Sequence, residues 1–139
     1  MAGLEREIDI LLVKIEEDIR QFLIDSKTTK YPFFTGAYVL NAPVGRGLYF
    51  VWEHSEMVYV GETGSIRKRM LNIKNKNHSL YTKLKEDLFD PARNFRIAFY
   101  PIKLGRREME DIFTSDIEAQ RAGRPTPKYN ELKGNIVWK

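Results

Sequence analysis

The stretch Gly47–Glu53, GLYFVWE, alternates along its length and is rich in aromatic and β-branched residues, as is MVYV at 57–60, with His54, Ser55 and Glu56 between them. Such side chains suit the pleated, half-buried surface of a strand, and three polar residues between two such runs make a short turn. The pair is predicted to be a β-hairpin. A lone hairpin is marginal in water and needs a further strand or a helix against it. Residues 95–102 alternate in the same manner and supply that strand.

The helices follow from spacing. Over 4–24 the apolar residues Ile8, Leu11, Leu12, Ile15, Ile19, Phe22 and Leu23 recur at helical intervals between charged residues, which predicts one long amphipathic helix. It either packs on its own domain or serves a homodimer or partner protein, since the spacing also fits a short heptad seam. Residues 27–45 carry Pro32, Gly36, Pro43 and Gly45 and are predicted irregular, with a short extended piece over Ala37–Leu40. Ser65 can cap a helix to about residue 75, with Ile66, Met70 and Ile73 on its buried stripe, and Ser79 can cap another to about residue 88. A last helix over 106–120 turns Met109, Ile112, Phe113 and Ile117 inward, and Gly123, Pro125 and Pro127 stop it. The fold class is α+β: a small, mostly antiparallel β-sheet built on a hairpin and flanked by helices, with an extra N-terminal amphipathic helix. Residues 1–45 form the N-terminal helix and irregular extension, and 46–139 the functional domain.

Composition narrows the chemistry. The chain has 139 residues, 42% hydrophobic and 30% charged, the size and balance of one globular domain. No apolar run approaches the roughly 20 residues that span a bilayer, and the N-terminus lacks the zones of a signal peptide, so a cytoplasmic protein with no membrane partner is expected. Zero cysteine excludes a disulfide framework, a thiolate metal site and a cysteine nucleophile, and two histidines are too few for a histidine cage. A catalytic metal must then lean on carboxylates and water, which favours magnesium or manganese. The net charge of +4 is a weak push toward a polyanionic partner.

The hairpin carries Gly47-Leu48-Tyr49 on its first strand and Tyr59-Val60-Gly61 on its second, and Arg69 follows eight residues after Gly61. Three residues past Ile66 and four before Ile73, Arg69 sits at the edge of its helix's buried stripe, whereas Arg67 and Lys68 fan toward solvent. An acidic residue near the start of the last helix precedes Phe113, and Lys128-Tyr129-Asn130 follows a proline. In these features residues 47–130 resemble the GIY-YIG nuclease family.

The resemblance implies metal-dependent hydrolysis of DNA phosphodiesters by water, with one divalent ion, Mg2+ or Mn2+, on a glutamate. By motif position Tyr59 is the general base or water-orienting group and Tyr49 assists it. Arg69 supplies planar cationic donors to the charge that builds on the phosphoryl oxygens. Glu110 holds the metal, with Glu108 as the competing choice, and Asn130 braces the glutamate or the hairpin from the tail. Gly47 and Gly61 complete the motif; Gly61 also has a backbone reason, ending a strand before a turn.

The chain also departs from the pattern. Glu62 stands directly after Gly61, where several members carry a lysine that could ionise the tyrosine, so that cation must come from Lys68 or a lysine of 74–85. Ile73 replaces a histidine that some members place one turn after the arginine, and Gly123 to Pro127 lengthens the gap between Glu110 and Asn130. Arg67, Lys68, Lys74, Lys76, Lys83 and Lys85 gather in one region, among Asn72, Asn75, Asn77 and His78, and are candidates for phosphate contact that positions DNA without reading its sequence. Two alternatives to the nuclease stand: a catalytically inactive nucleic-acid-binding module on the same fold, and a protein-interaction domain using the N-terminal helix.

Overall fold

A computed structural model of the protein describes residues 2–75, 78–103, 105–114 and 128–130. Helix α1 (Ala2–Ile24) leads to strand β1 (Tyr31–Pro32), helix α2 (Ala37–Leu40) and the hairpin of β2 (Gly47–Glu53) and β3 (Glu56–Thr63). Helices α3 (Ile66–Leu71) and α4 (Ser79–Leu84), a 3-10 turn (Lys85–Phe89), strand β4 (Phe95–Pro101) and helix α5 (Arg106–Thr114) follow. The sheet is antiparallel throughout, in the order β1-β4-β2-β3.

The hairpin closes more tightly than its polar triplet suggests. Glu53 pairs with Glu56, so only His54 and Ser55 form the loop, and His54 adopts a φ of 55° that lets a two-residue turn match the strand twist. One irregularity follows. Val51 faces Tyr59 and Trp52 faces Met57, which leaves Val58 as an extra residue, a β-bulge. Beyond it the register sets Tyr49 opposite Gly61 and Gly47 opposite Thr63.

Alternation splits the sheet into two buried faces. Tyr49, Val51, Phe95 and Ile97 meet Phe33, Tyr38, Ile66, Met70, Leu80 and Leu88 on one face. Leu48, Phe50, Trp52, Val60 and Ala98 meet Ile19 of α1 and Met109 of α5 on the other, with Leu12, Ile15, Phe22 and Leu23 packed alongside. Layers on both sides explain why β2 is buried along almost its whole length.

The long first helix is as predicted and packs on its own domain, though Ile8 and Leu11 are 46% and 42% exposed. Three expectations are corrected. Ala37–Leu40 is a helical turn instead of an extended piece: its carbonyls and the Gly36 carbonyl accept i+3 and i+4 bonds, and Tyr38 points into the aromatic cluster with Phe33. The helix capped by Ser65 ends at Leu71, short of residue 75. Ser79 is the first residue of α4 and not its cap, and that helix gives way to a 3-10 turn at Lys85, whose φ of 49° breaks the ladder. Strand β1, within the stretch expected to be irregular, pairs with β4 through Tyr31 and Ile97. The predicted helix past Thr114, with Ile117 and the stop at Gly123 to Pro127, lies outside the described residues.

Ile19 is fully buried where α1 meets the sheet, whereas Ile10 on the same helix is 64% exposed. Ile19→Ala is expected to cost about 2–5 kcal/mol of unfolding free energy in urea titration, against roughly ±0.5 kcal/mol for Ile10→Ala. Equal costs would mean that α1 does not dock as described.

Candidate active site

The two motif glycines make room for side chains. A Cβ on Gly61 would collide with the ring of Tyr49, which lies across it from the paired position on β2. A Cβ on Gly47 would come within 2.8 Å of Ile66 Cδ1 and Pro101 Cα. The reason expected for Gly61, a strand end, is therefore replaced: β3 runs on to Thr63, and the constraint is close approach of an aromatic ring. Seated this way, Tyr49 and Tyr59 stack with ring centroids 6.0 Å apart.

Both hydroxyls are held from one dipeptide. Tyr49 Oη lies 3.1 Å from His78 Nε2, and Tyr59 Oη lies 2.8 Å from Ser79 Oγ. The sequence alone sets His78 among basic and amide residues and offers Ser79 as a helix cap, and local spacing connects neither of them to the tyrosines. His78 is 2% exposed, and among the described residues its Nδ1 finds no hydrogen-bond partner. Burial, and then the charge of Arg69, lower its pKa from 6.5 to about 4, so the ring is neutral at physiological pH.

The tyrosines, Gly61, Glu62, Arg69, His78, Ser79 and Glu110 line one pocket of about 200 Å³. Five elements contribute: β2 and β3 give the tyrosines, α3 gives Arg69, α4 gives Ser79, and α5 gives Glu110. Arg69 is half-buried, and among the described residues no hydrogen bond or ion pair engages its guanidinium. Glu110 comes round the edge of β3 from the opposite face, where its neighbour Met109 is fully buried, and its Oε2 accepts the Glu62 N–H at 3.0 Å. The competing Glu108 is exposed. The side chain of Phe113 lies outside the described residues; the buried neighbour Met109 turns α5 so that Glu110 reaches the sheet edge.

Electrostatics separate the two tyrosines. Burial holds Tyr49 well above the usual phenol range, and a charge on Tyr59 would raise it further, while Arg69 pulls the other way. Tyr59 is raised by burial too; hydrogen bonds from Ser79 and Tyr49 lower it, the charge of Glu110 raises it, and the cation of Arg69 lowers it. Tyr59 therefore ionises first. Glu62 does not load the pocket with uncompensated charge: its Oε2 meets Arg106 Nε at 2.9 Å.

The remaining predicted residues disperse. Asn130 braces the hairpin, its Oδ1 accepting from Val60 N at 2.9 Å and its Nδ2 donating to Val60 O at 2.8 Å. Arg67 Nε donates to Ala42 O, Lys83 Nζ donates to Tyr129 O, and Lys74 pairs loosely with Glu86 over the Phe89 ring. Lys85 is exposed at the start of the 3-10 turn, and Lys76 lies outside the described residues. Lys68 borders Arg69 in a neighbouring cavity. No group of three His, Cys, Asp or Glu side chains suited to a metal occurs among the described residues. No family model, curated protein or solved structure matches this chain.

The depressed histidine predicts an acid-sensitive fold. Between pH 6.5 and about 4 the unfolded chain binds a proton at His78 that the folded chain refuses, so stability present at pH 7 is lost as pH falls through that window. The loss approaches about 3 kcal/mol. Urea unfolding at pH 7 and 4.5 should show His78→Asn with a smaller pH-dependent loss than wild type; equal losses would remove His78 as the cause.

Proposed function

We propose that the protein is a metal-dependent endonuclease that hydrolyses DNA phosphodiester bonds through a GIY-YIG-type site. The observation that carries this reading is the convergence of Tyr49, Tyr59, Arg69 and Glu110, from four elements, on one small pocket in which, among the described residues, the arginine forms no ion pair. A half-buried guanidinium is costly unless it is paired, and two oxygens of a phosphate offset that cost by accepting bidentate hydrogen bonds from its planar fork.

Each residue then has a role that its surroundings support. Arg69 binds the scissile phosphate and stabilises the charge that develops on its oxygens. Tyr59 accepts the proton of the attacking water, and its link to Ser79 fixes where the phenol oxygen stands. Tyr49, the harder of the two to ionise, stays protonated and donates toward Tyr59, while His78 holds it from behind. The cation that assists Tyr59 is Arg69, which takes the part expected of Lys68 or a lysine of 74–85.

The donor set suits a hard divalent ion. Glu110 is a carboxylate at the pocket wall and is anchored through the Glu62 N–H, so Mg2+ or Mn2+ would be held by Glu110 together with water and phosphate oxygens. Such an ion supplies neutralisation of phosphate charge and of the departing oxygen. The protein's own groups account for substrate orientation and proton transfer.

Nicking of supercoiled plasmid by the purified protein with Mg2+ or Mn2+ is the direct test. Arg69→Ala and Glu110→Ala are each expected to lower the rate about 100-fold or more, with Lys14→Ala on α1 unaffected. Unchanged nicking in both site variants overturns the reading. An intact plasmid that is bound tightly and released by salt points instead to the catalytically inactive binding module.

The raised Tyr59 pKa sets the pH dependence. A base that ionises above its usual value near 10 is mostly protonated at neutrality, so the rate should climb nearly tenfold per unit between pH 7 and 9 without a plateau. Tyr59→Phe should lose most activity and flatten the slope. A plateau near pH 7 would assign the base elsewhere.

A further inference from the structure

A second cavity of about 400 Å³ adjoins the reaction pocket; Arg69 and His78 belong to both walls, and Ser65, Lys68, Asn72 and Asn75 are among its other lining residues. Its charge differs from that of its neighbour. The reaction pocket contains Glu62 and Glu110, whereas among the described residues no carboxylate lines the second cavity, which has two cations. Among the described residues neither Lys68 Nζ nor the Arg69 guanidinium forms an ion pair. Ser65 Oγ accepts from Lys68 N, which leaves its hydroxyl proton to donate elsewhere. Cations, amides and a hydroxyl around a void without acid define an anion site.

The shared arginine fixes where that anion sits relative to the first. A group in this cavity and a phosphate in the reaction pocket would flank the same guanidinium. A polynucleotide strand presents one negative charge per residue at regular intervals, so two adjoining anion sites joined by one arginine fit two successive phosphates. Resting on the nuclease reading above, we propose that this cavity holds the backbone phosphate next to the scissile one. The substrate is then a strand with a phosphate beside the cut, and an isolated phosphodiester is a poor one. Lys68 is a binding residue in this scheme and touches no reacting atom. The other basic residues of the region contribute less, because Arg67, Lys74 and Lys83 already have protein partners.

Two measurements on the full chain test this. In 1H-15N NMR, titration with inorganic phosphate should shift the amides of Ser65, Lys68, Asn72 and Asn75 saturably, and Lys68→Ala should weaken that binding while the rest of the spectrum is retained. In cleavage of a short DNA duplex, Lys68→Ala should raise KM about tenfold, keep kcat within about twofold and lower the salt slope by about one; the charge-matched Lys14→Ala should do none of these. Cleavage with a KM indifferent to Lys68, or phosphate shifts confined to the neighbourhood of Tyr49 and Tyr59, overturns the second site and spares the nuclease. Lys68-dependent phosphate binding by a protein that cuts no DNA overturns the nuclease and leaves the cavity as an anion site.

Discussion

The outer edge of β3 is the constraint on which the site depends. An edge strand presents unpaired N–H and C=O groups that must be satisfied or shielded. Here Val58 O accepts from Tyr129 N, Val60 exchanges two bonds with the side-chain amide of Asn130, and Glu62 N donates to Glu110. The edge is thus closed by one tail and one helix, not by another strand. Glu110 reaches the pocket because it is one of the edge's acceptors, and Asn130 is fixed because its amide mimics a peptide group. Glu53 anchors the same tail from the hairpin end, accepting from Arg93 at 3.0 Å and from the Tyr129 hydroxyl at 3.2 Å.

Charge in the site is arranged in layers. Glu62 projects beside Glu110 on the same edge, and two carboxylates there would disfavour an anionic substrate. Arg106, four residues before Glu110 on α5, takes up Glu62 and leaves Glu110 as the acid that the pocket presents. Among the described residues Arg69 forms no ion pair, so the pocket wall keeps one cation and one carboxylate apart, whereas an Arg69–Glu110 pair would cancel both.

Much of the fold was legible because period-2 and period-3.6 patterns report directly on which faces are buried. The hairpin, α1, β4 and the helical register of Arg69 all rest on such local periodicity. What was not legible required contacts across the chain. Ala37–Leu40 is a helical turn whose Tyr38 packs on nearby Phe33 and on Phe89, a partner far away in sequence. The pairing of His78 with Tyr49 spans 29 positions and that of Ser79 with Tyr59 spans 20. A histidine before a serine reads as a polar turn and helix cap, and only the approach of α4 to the hairpin makes it a clamp. Gly61 illustrates the same limit, since its partner ring is contributed by the other strand.

The N-terminal helix lies outside residues 47–130, yet it packs on the same face of the sheet as the helix that carries Glu110. Met109 is fully buried in the same cluster as Ile19, so α5 and α1 share one face of the sheet. They also touch end to side: a Cβ on Gly105 would come within 2.8 Å of Leu12 Cδ2, and Gly105 takes a φ of 79°, which a side chain would resist. That glycine opens the turn into α5, whose ladder begins with Met109 N bonding to Gly105 O at 2.9 Å. Leu12 of α1 thus lies against the turn from which α5 starts. Glu110 follows on that helix and meets the edge of β3 through the Glu62 N–H. The opening residues and β1, with Phe33 buried in the opposite core, brace both sides of the hairpin. An extension that reads as an appendage in the sequence is, physically, part of the scaffold that aims the carboxylate.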